Sequence, residues 1–316
     1  MDKAILQAAA LLLHEETRFG ISFNAWDYRK TKRKHGRFML DIINAAILGI
    51  IEGITEWLPI SSTGHLILAE NFFPLRGASE AFKVLFDVVI QLGAICAVIL
   101  LFWNKLWPFS MNKEQHYIKK DIWSLWFKVL VAIVPTVLIA LPLDDWFNAH
   151  FYNWQTIAFT LIFYGVLFIL VENWRKGKPA LTKHLPDLSY KTAFCIGLFQ
   201  VLSVIPGTSR SGATILGALV LGVARPVAAE FTFFLAIPTM FGASLLKTVK
   251  FIAGGAAISG AEMAMLATGC LVAFAVSLFA IGFLMRYVKK HDFKVFGWYR
   301  IALGIVVTAY FLLLAK

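Results

Sequence analysis

Charge is scarce in this chain, and acidic charge is scarcest. Only 16% of residues are Asp, Glu, Lys or Arg, with 19 acidic against 30 basic among 316. A soluble domain carries about 25% charged residues, so a surface wetted over the whole chain is excluded. Cysteine is rarer still. Cys96, Cys195 and Cys270 each stand in apolar sequence without metal-ligand spacing. They read as small core residues, and no disulfide framework is expected. A small-residue cleavage site is also missing. The short apolar run Ala4–Leu13 leads to a basic block, 29–37, with no such site before it, so a cleaved signal peptide is not expected.

What fills the chain is apolar sequence. It is 59% hydrophobic, with a net charge of +11, and its mean hydropathy is +0.71. A membrane span needs roughly 20 apolar residues. Spans are predicted near 86–103, 124–143, 155–171, 229–247, 261–285 and 298–315. The fold class predicted is an all-α polytopic membrane protein. Two further segments, 41–69 and 190–221, are apolar at both ends but carry proline and small polar residues in the middle. That pattern suits a re-entrant helix–break–helix, because irregular backbone at membrane depth needs cover from protein or a water-filled cavity.

These two segments repeat each other. The first holds EGITEWLPISSTGH at 52–65 and the second FQVLSVIPGTSRSGAT at 199–214. Gly49 and Gly197, Glu52 and Gln200, and Ser61 and Ser209 are each 148 residues apart. Lys and Arg cluster in loops 104–123, 172–189 and 286–297, whereas 144–154 begins Asp144-Asp145 and 251–260 is uncharged. The positive-inside rule puts the three basic loops in the cytoplasm. Each half is then one re-entrant unit plus three spans, so the halves have opposite topology, as in inverted-repeat transporters. Repeat one covers about 41–143 plus 155–171, and repeat two about 190–316. Residues 1–40 form an N-terminal extension outside this single membrane domain. Its basic block 29–37 conflicts with an outer N-terminus, and would suit lipid headgroups or a start placed too far upstream.

Ionisable groups inside a bilayer are costly, so a functional site is the default reading of the two repeat segments. Glu52 and Glu56 are four apart and share a helix face. Pro59 ends that helix. Ser61, Ser62 and Thr63 then open a second one, whose free amides make an anion site at membrane depth. In the second half, Pro206-Gly207 break the helix, and Thr208, Ser209, Arg210 and Ser211 supply hydroxyls and a guanidinium suited to phosphate. Two acids would repel a bare anion, so a divalent cation bridging Glu and phosphate, Mg²⁺ or Ca²⁺, is expected, with Glu52 and Glu56 as its ligands.

Glu52 through His65 and Pro206 through Thr214 carry a resemblance. The chain resembles the undecaprenyl-diphosphate phosphatase family, the integral-membrane enzymes of bacitracin resistance, over about residues 41–316. The resemblance implies a phosphatase that removes the terminal phosphate of undecaprenyl diphosphate and regenerates the carrier for peptidoglycan synthesis. It implies functional acids at Glu52 and Glu56, a serine nucleophile at Ser62, an essential His65 and a phosphate-binding Arg210. It also implies a bacterial cytoplasmic membrane location, with the site opening to the outer face. The partners expected are the polyprenyl diphosphate and membrane lipids, not nucleic acid.

Other residues are weighed against plainer roles. Ser61, Thr63, Ser209 and Ser211 suit phosphate contact, and suit equally the satisfaction of backbone groups freed at the breaks. Thr214 fits packing or phosphate contact, and Gln200 fits a hydrogen-bonding support role or phosphate contact. Pro135, Pro142 and Pro238 shape helices. Trp103, Trp107, Trp123 and Trp126 fit interfacial belts. Asp87 and Glu230 fit structural pairing. A lipid-phosphate flippase or transporter is the competing class, since inverted repeats suit transport; a nucleophile, a base and an Arg around one phosphate favour the enzyme.

Overall fold

In a bilayer each backbone amide must be satisfied within its own segment, which selects helices. The computed structural model describes residues 25–109 and 119–314. An isolated β-bridge joins Thr182 to Val223. The first half holds α1 (Ala25–Thr55), α2 (Ser62–Phe72), α3 (Glu80–Leu101), α4 (Lys120–Pro135), α5 (Leu141–Phe151) and α6 (Trp154–Arg175). The second holds α7 (Tyr190–Val201), α8 (Arg210–Val220), α9 (Arg225–Ala253), α10 (Gly260–Tyr287) and α11 (Lys294–Leu313).

Seven helices are long and apolar enough to cross a membrane. Six coincide with the expected spans. The seventh, His35–Thr55, lies in α1. The sequence reading began this segment at residue 41, but Lys and Arg are good helix formers, so the basic stretch extends the helix instead of ending it. The stretch Ala4–Leu13 and Lys113 lie outside the described residues.

Proline marks two distortions. Pro135 ends α4, and a π-helical turn, Thr136–Ala140, follows; an N–H is missing there and the ring crowds the preceding turn. Pro238 sits inside α9. The expectation that all three cysteines are core residues is corrected at Cys96, which is exposed, while Cys195 and Cys270 are half-buried. The outer surface of a membrane helix faces hydrocarbon, so an apolar residue need not be interior to be stable. Exposed Phe159, Leu245, Leu271 and Phe279 follow the same logic.

The packing of the halves is exchanged. α1 lies on α10 and α7 lies on α4; α10 lies on α3 and α4 on α9. The matching helices α3 and α9 pack on each other, as do α6 and α11. Two glycines that occupy equivalent places make the crossings possible. A Cβ at Gly49 would sit 2.6 Å from the Gly269 carbonyl oxygen of α10, and one at Gly197 would sit 2.0 Å from that of Ala132 in α4. Without a hydrophobic drive between helices in lipid, such small residues let backbones approach and dispersion do the holding.

Candidate active site

The two breaks are built alike. α1 ends at Thr55, a turn carries Glu56 to Ile60, and Ser61 caps α2. α7 ends at Val201, a turn carries Pro206 to Thr208, and Ser209 caps α8. Ser61 has φ 75° and Ser209 φ 68°, the only non-glycine residues with positive φ among those described. Such a conformation costs on the order of 1–3 kcal/mol and persists where its surroundings fix it. Each serine hydroxyl accepts from the third amide of its helix: Gly64 N at 3.3 Å and Gly212 N at 3.1 Å. The caps point the first turns of α2 and α8 into one gap.

Other side chains lock the breaks together. Ser211 Oγ donates to the Glu56 carbonyl at 3.0 Å. Thr160 Oγ1 of α6 donates to the Pro206 carbonyl at 2.9 Å. Arg300 of α11, fully buried, reaches both breaks. It donates to Pro59 O at 3.3 Å on one side and to Gly207 O at 2.9 Å and Thr208 O at 3.0 Å on the other. Hydrogen bonds from a charged donor are worth about 1.5–3 kcal/mol each, so this guanidinium is a strong tie between the halves.

Three of the expected residues meet in the gap, Glu56, Ser62 and Arg210; Glu52 and His65 do not bond to them. Glu56 is 9% exposed and Arg210 10%. Arg210 Nη2 donates to Glu56 Oε1 at 2.9 Å, and Ser62 Oγ donates to Glu56 Oε2 at 2.9 Å. Arg210 Nη1 also donates to the Thr232 carbonyl at 3.0 Å, and its guanidinium lies 6.0 Å from the Trp57 ring centre. Glu52, one helical turn before Glu56, is fully buried, and neither carboxylate oxygen has a hydrogen-bond partner among the described residues. An isolated buried carboxylate is expensive, so this group is built to meet a cation or a proton. His65 Nδ1 lies 2.7 Å from Ser61 O and Nε2 lies 2.8 Å from the Tyr299 hydroxyl.

The remaining expected residues are engaged elsewhere. Ser61 and Ser209 serve as caps. Thr63, half-buried, stands in the first turn of α2. Thr214 Oγ1 donates to Arg210 O at 2.9 Å and accepts from Thr232 Oγ1 at 2.9 Å. Gln200 donates to Thr136 Oγ1 at 2.8 Å and Thr239 Oγ1 at 3.4 Å, on the distorted stretches of α4 and α9, and makes no hydrogen bond to Glu56, Ser62 or Arg210. Glu230 pairs with Lys105 at 2.6 Å. Trp126 Nε1 donates to Leu106 O, and Trp103, Trp107 and Trp123 are exposed, in keeping with belts. Sequence reading passed over Arg300 and Tyr299. The signal for Arg300 was present, a cation three residues inside a predicted span. Tyr299 carried none.

A hydroxyl donating to a carboxylate, beside a guanidinium and two helix N-termini, can activate an oxygen nucleophile against a phosphate. The class so defined is a polytopic helical membrane protein whose two broken helices meet at Glu56, Ser62 and Arg210. A family model described as "Bacitracin resistance protein BacA" matches residues 45–306. The chain belongs to that family. It is 60% identical over 269 residues to an undecaprenyl-diphosphatase of Enterococcus faecalis, covering 85% of this chain and 96% of that protein. An undecaprenyl-diphosphatase of Acetivibrio thermocellus is 59% identical, covering 87% and 99%. One of Lactiplantibacillus plantarum is 55% identical, covering 87% and 100%.

Proposed function

We infer that this protein is an undecaprenyl-diphosphatase, hydrolysing undecaprenyl diphosphate to undecaprenyl phosphate and inorganic phosphate. The observation that carries this reading is the chain Ser62–Glu56–Arg210, which joins the two breaks at hydrogen-bond distance. Ser62 Oγ attacks the terminal phosphorus while Glu56 takes its proton. The bond from that phosphorus to the bridging oxygen breaks, and undecaprenyl phosphate leaves. Water then cleaves the phosphoserine and releases phosphate. Arg210 binds the terminal phosphate and stabilises the charge that develops on it. The amides at the starts of α2 and α8 add positive potential, and His65 is the further acid–base group.

A divalent cation, Mg²⁺ or Ca²⁺, would be held by Glu52, whose two oxygens lack partners, and by Glu56 only if it gave up a bond to Ser62 or Arg210; no group of three or more His, Cys, Asp or Glu gathers there among the described residues. When bound it offsets the repulsion between carboxylates and phosphate. The α1–α2 and α7–α8 pairs are read as re-entrant units. α2 and α8 are 11 residues each, about 16 Å at 1.5 Å per residue and too short to cross. The exchanged helix pairing supports inverted repeats. Loop charge supports a bacterial cytoplasmic membrane protein whose site opens outward. The test is phosphate release by purified protein from undecaprenyl diphosphate, with and without EDTA. Metal-dependent release is expected. An inactive, folded protein in the presence of Mg²⁺ and Ca²⁺ would refute the reading.

A further inference from the structure

We propose that Tyr299 is a positioning residue that fixes the tautomer and ring angle of His65. This rests on the reading of His65 as an acid–base group, but its structural half does not. His65 Nδ1 is 2.7 Å from the Ser61 carbonyl. A carbonyl only accepts, so Nδ1 carries the hydrogen. In the neutral ring Nε2 is then a lone pair, and the phenol 2.8 Å away must be the donor. The two ring planes are nearly parallel, at 11°, with centroids 5.6 Å apart, in keeping with an in-plane hydrogen bond to the Nε2 lone pair. The imidazole is thus held at both ring nitrogens, by two hydrogen bonds.

The partners come from opposite ends of the chain. His65 stands in the first turn of α2, whereas Tyr299 stands beside Arg300 on α11. One helix therefore ties both breaks through Arg300 and orients the first-half histidine through its neighbour. Ser62 is bound to Glu56 and not to His65. The basic nitrogen of His65 is kept directed and capped by the phenol, which a substrate oxygen replaces when it arrives. Loss of that orientation is felt as misplacement of a reacting group, on the order of 10- to 100-fold in rate.

Two measurements on the full chain in detergent test this. Spectra of ¹⁵N-histidine protein, with His65→Gln to assign the resonance, read the tautomer without substrate. The wild type should show one neutral form, protonated at Nδ1; Tyr299→Phe should show a mixture or a shifted Nε2. Kinetics then read the coupling. Tyr299→Phe should lower kcat 10- to 100-fold with KM little changed, yet cost less than about 2-fold when added to His65→Ala. An unchanged His65 resonance in Tyr299→Phe overturns the proposal, even if every variant is inactive. An equal loss in both backgrounds overturns it as well, because Tyr299 would then act without His65. Inactive wild-type protein with the expected spectra would sink the phosphatase reading and leave the positioning contact standing.

Discussion

Arg210 is the residue whose chemistry discriminates most sharply between a site and a structural ion pair. Its fork spans Glu56 and the Thr232 carbonyl. Lysine keeps the charge and loses the planar fork. Arg210→Lys should lose on the order of 100-fold or more in kcat while staying folded, and Arg210→Ala more still, with some stability lost as well because the buried Glu56 carboxylate is left unpaired. A merely structural arginine would give another pattern, lysine restoring most activity and any loss of activity tracking the loss of folded protein. Arg300 should behave in that structural way. Its removal leaves carbonyls of both breaks without donors, so Arg300→Ala should destabilise by at least about 3 kcal/mol. Unchanged thermal unfolding of that variant would show that the clamp does not hold the breaks. That Glu56, Ser62 and Arg210 come together was legible because charge and hydroxyls inside apolar sequence demand a reason. Tyr299 was not, since a tyrosine near a span end reads as interfacial and only the fold reveals its histidine. Gln200 was legible as the mate of Glu52, but its partners depend on how α4 and α9 bend.

Helix breaks were readable where local chemistry makes them. Pro59 and Pro206-Gly207 stop helices and the following serines start new ones, so the turns fell where the sequence put them. The π-helical turn at Thr136–Ala140 was hidden, because a proline announces a distortion but not its width. The start of α1 was hidden too, since basic residues continue a helix as readily as they flank one. The close crossings yield a prediction. Gly197→Ala and Gly49→Ala place a Cβ against backbone oxygens and should each lower the melting temperature in detergent. Gly242→Ala, with open space around it, should leave it unchanged or raised, alanine being the better helix former. Equal stability of all three variants would contradict the close α1–α10 and α4–α7 contacts.

For the molecule as a whole, the proposed function expects the basic loops on one side of the membrane. In a cysteine-free background expressed in bacteria, a cysteine at Ala257 should react with an impermeant maleimide on intact cells. One at Lys176 should react only after permeabilisation. The reverse pattern would invert the molecule and turn the site toward the cytoplasm. The helical membrane fold was legible because apolar length is a whole-chain signal. The meeting of the two breaks was legible only as a need, since two isolated buried-charge clusters are hard to stabilise and one shared cluster is not.

The proposed function rests on that sharing: it requires Ser62 from one half and Arg210 from the other to act on a single terminal phosphate. Its most direct test is the initial rate of phosphate release from undecaprenyl diphosphate by wild type, Ser62→Ala and Arg210→Ala, each verified as folded. The prediction is a loss on the order of 100- to 1000-fold or more for either variant. Hydrolysis within a few-fold of wild type by stable Ser62→Ala would remove it as nucleophile. The same result for stable Arg210→Ala would contradict a site made from both halves.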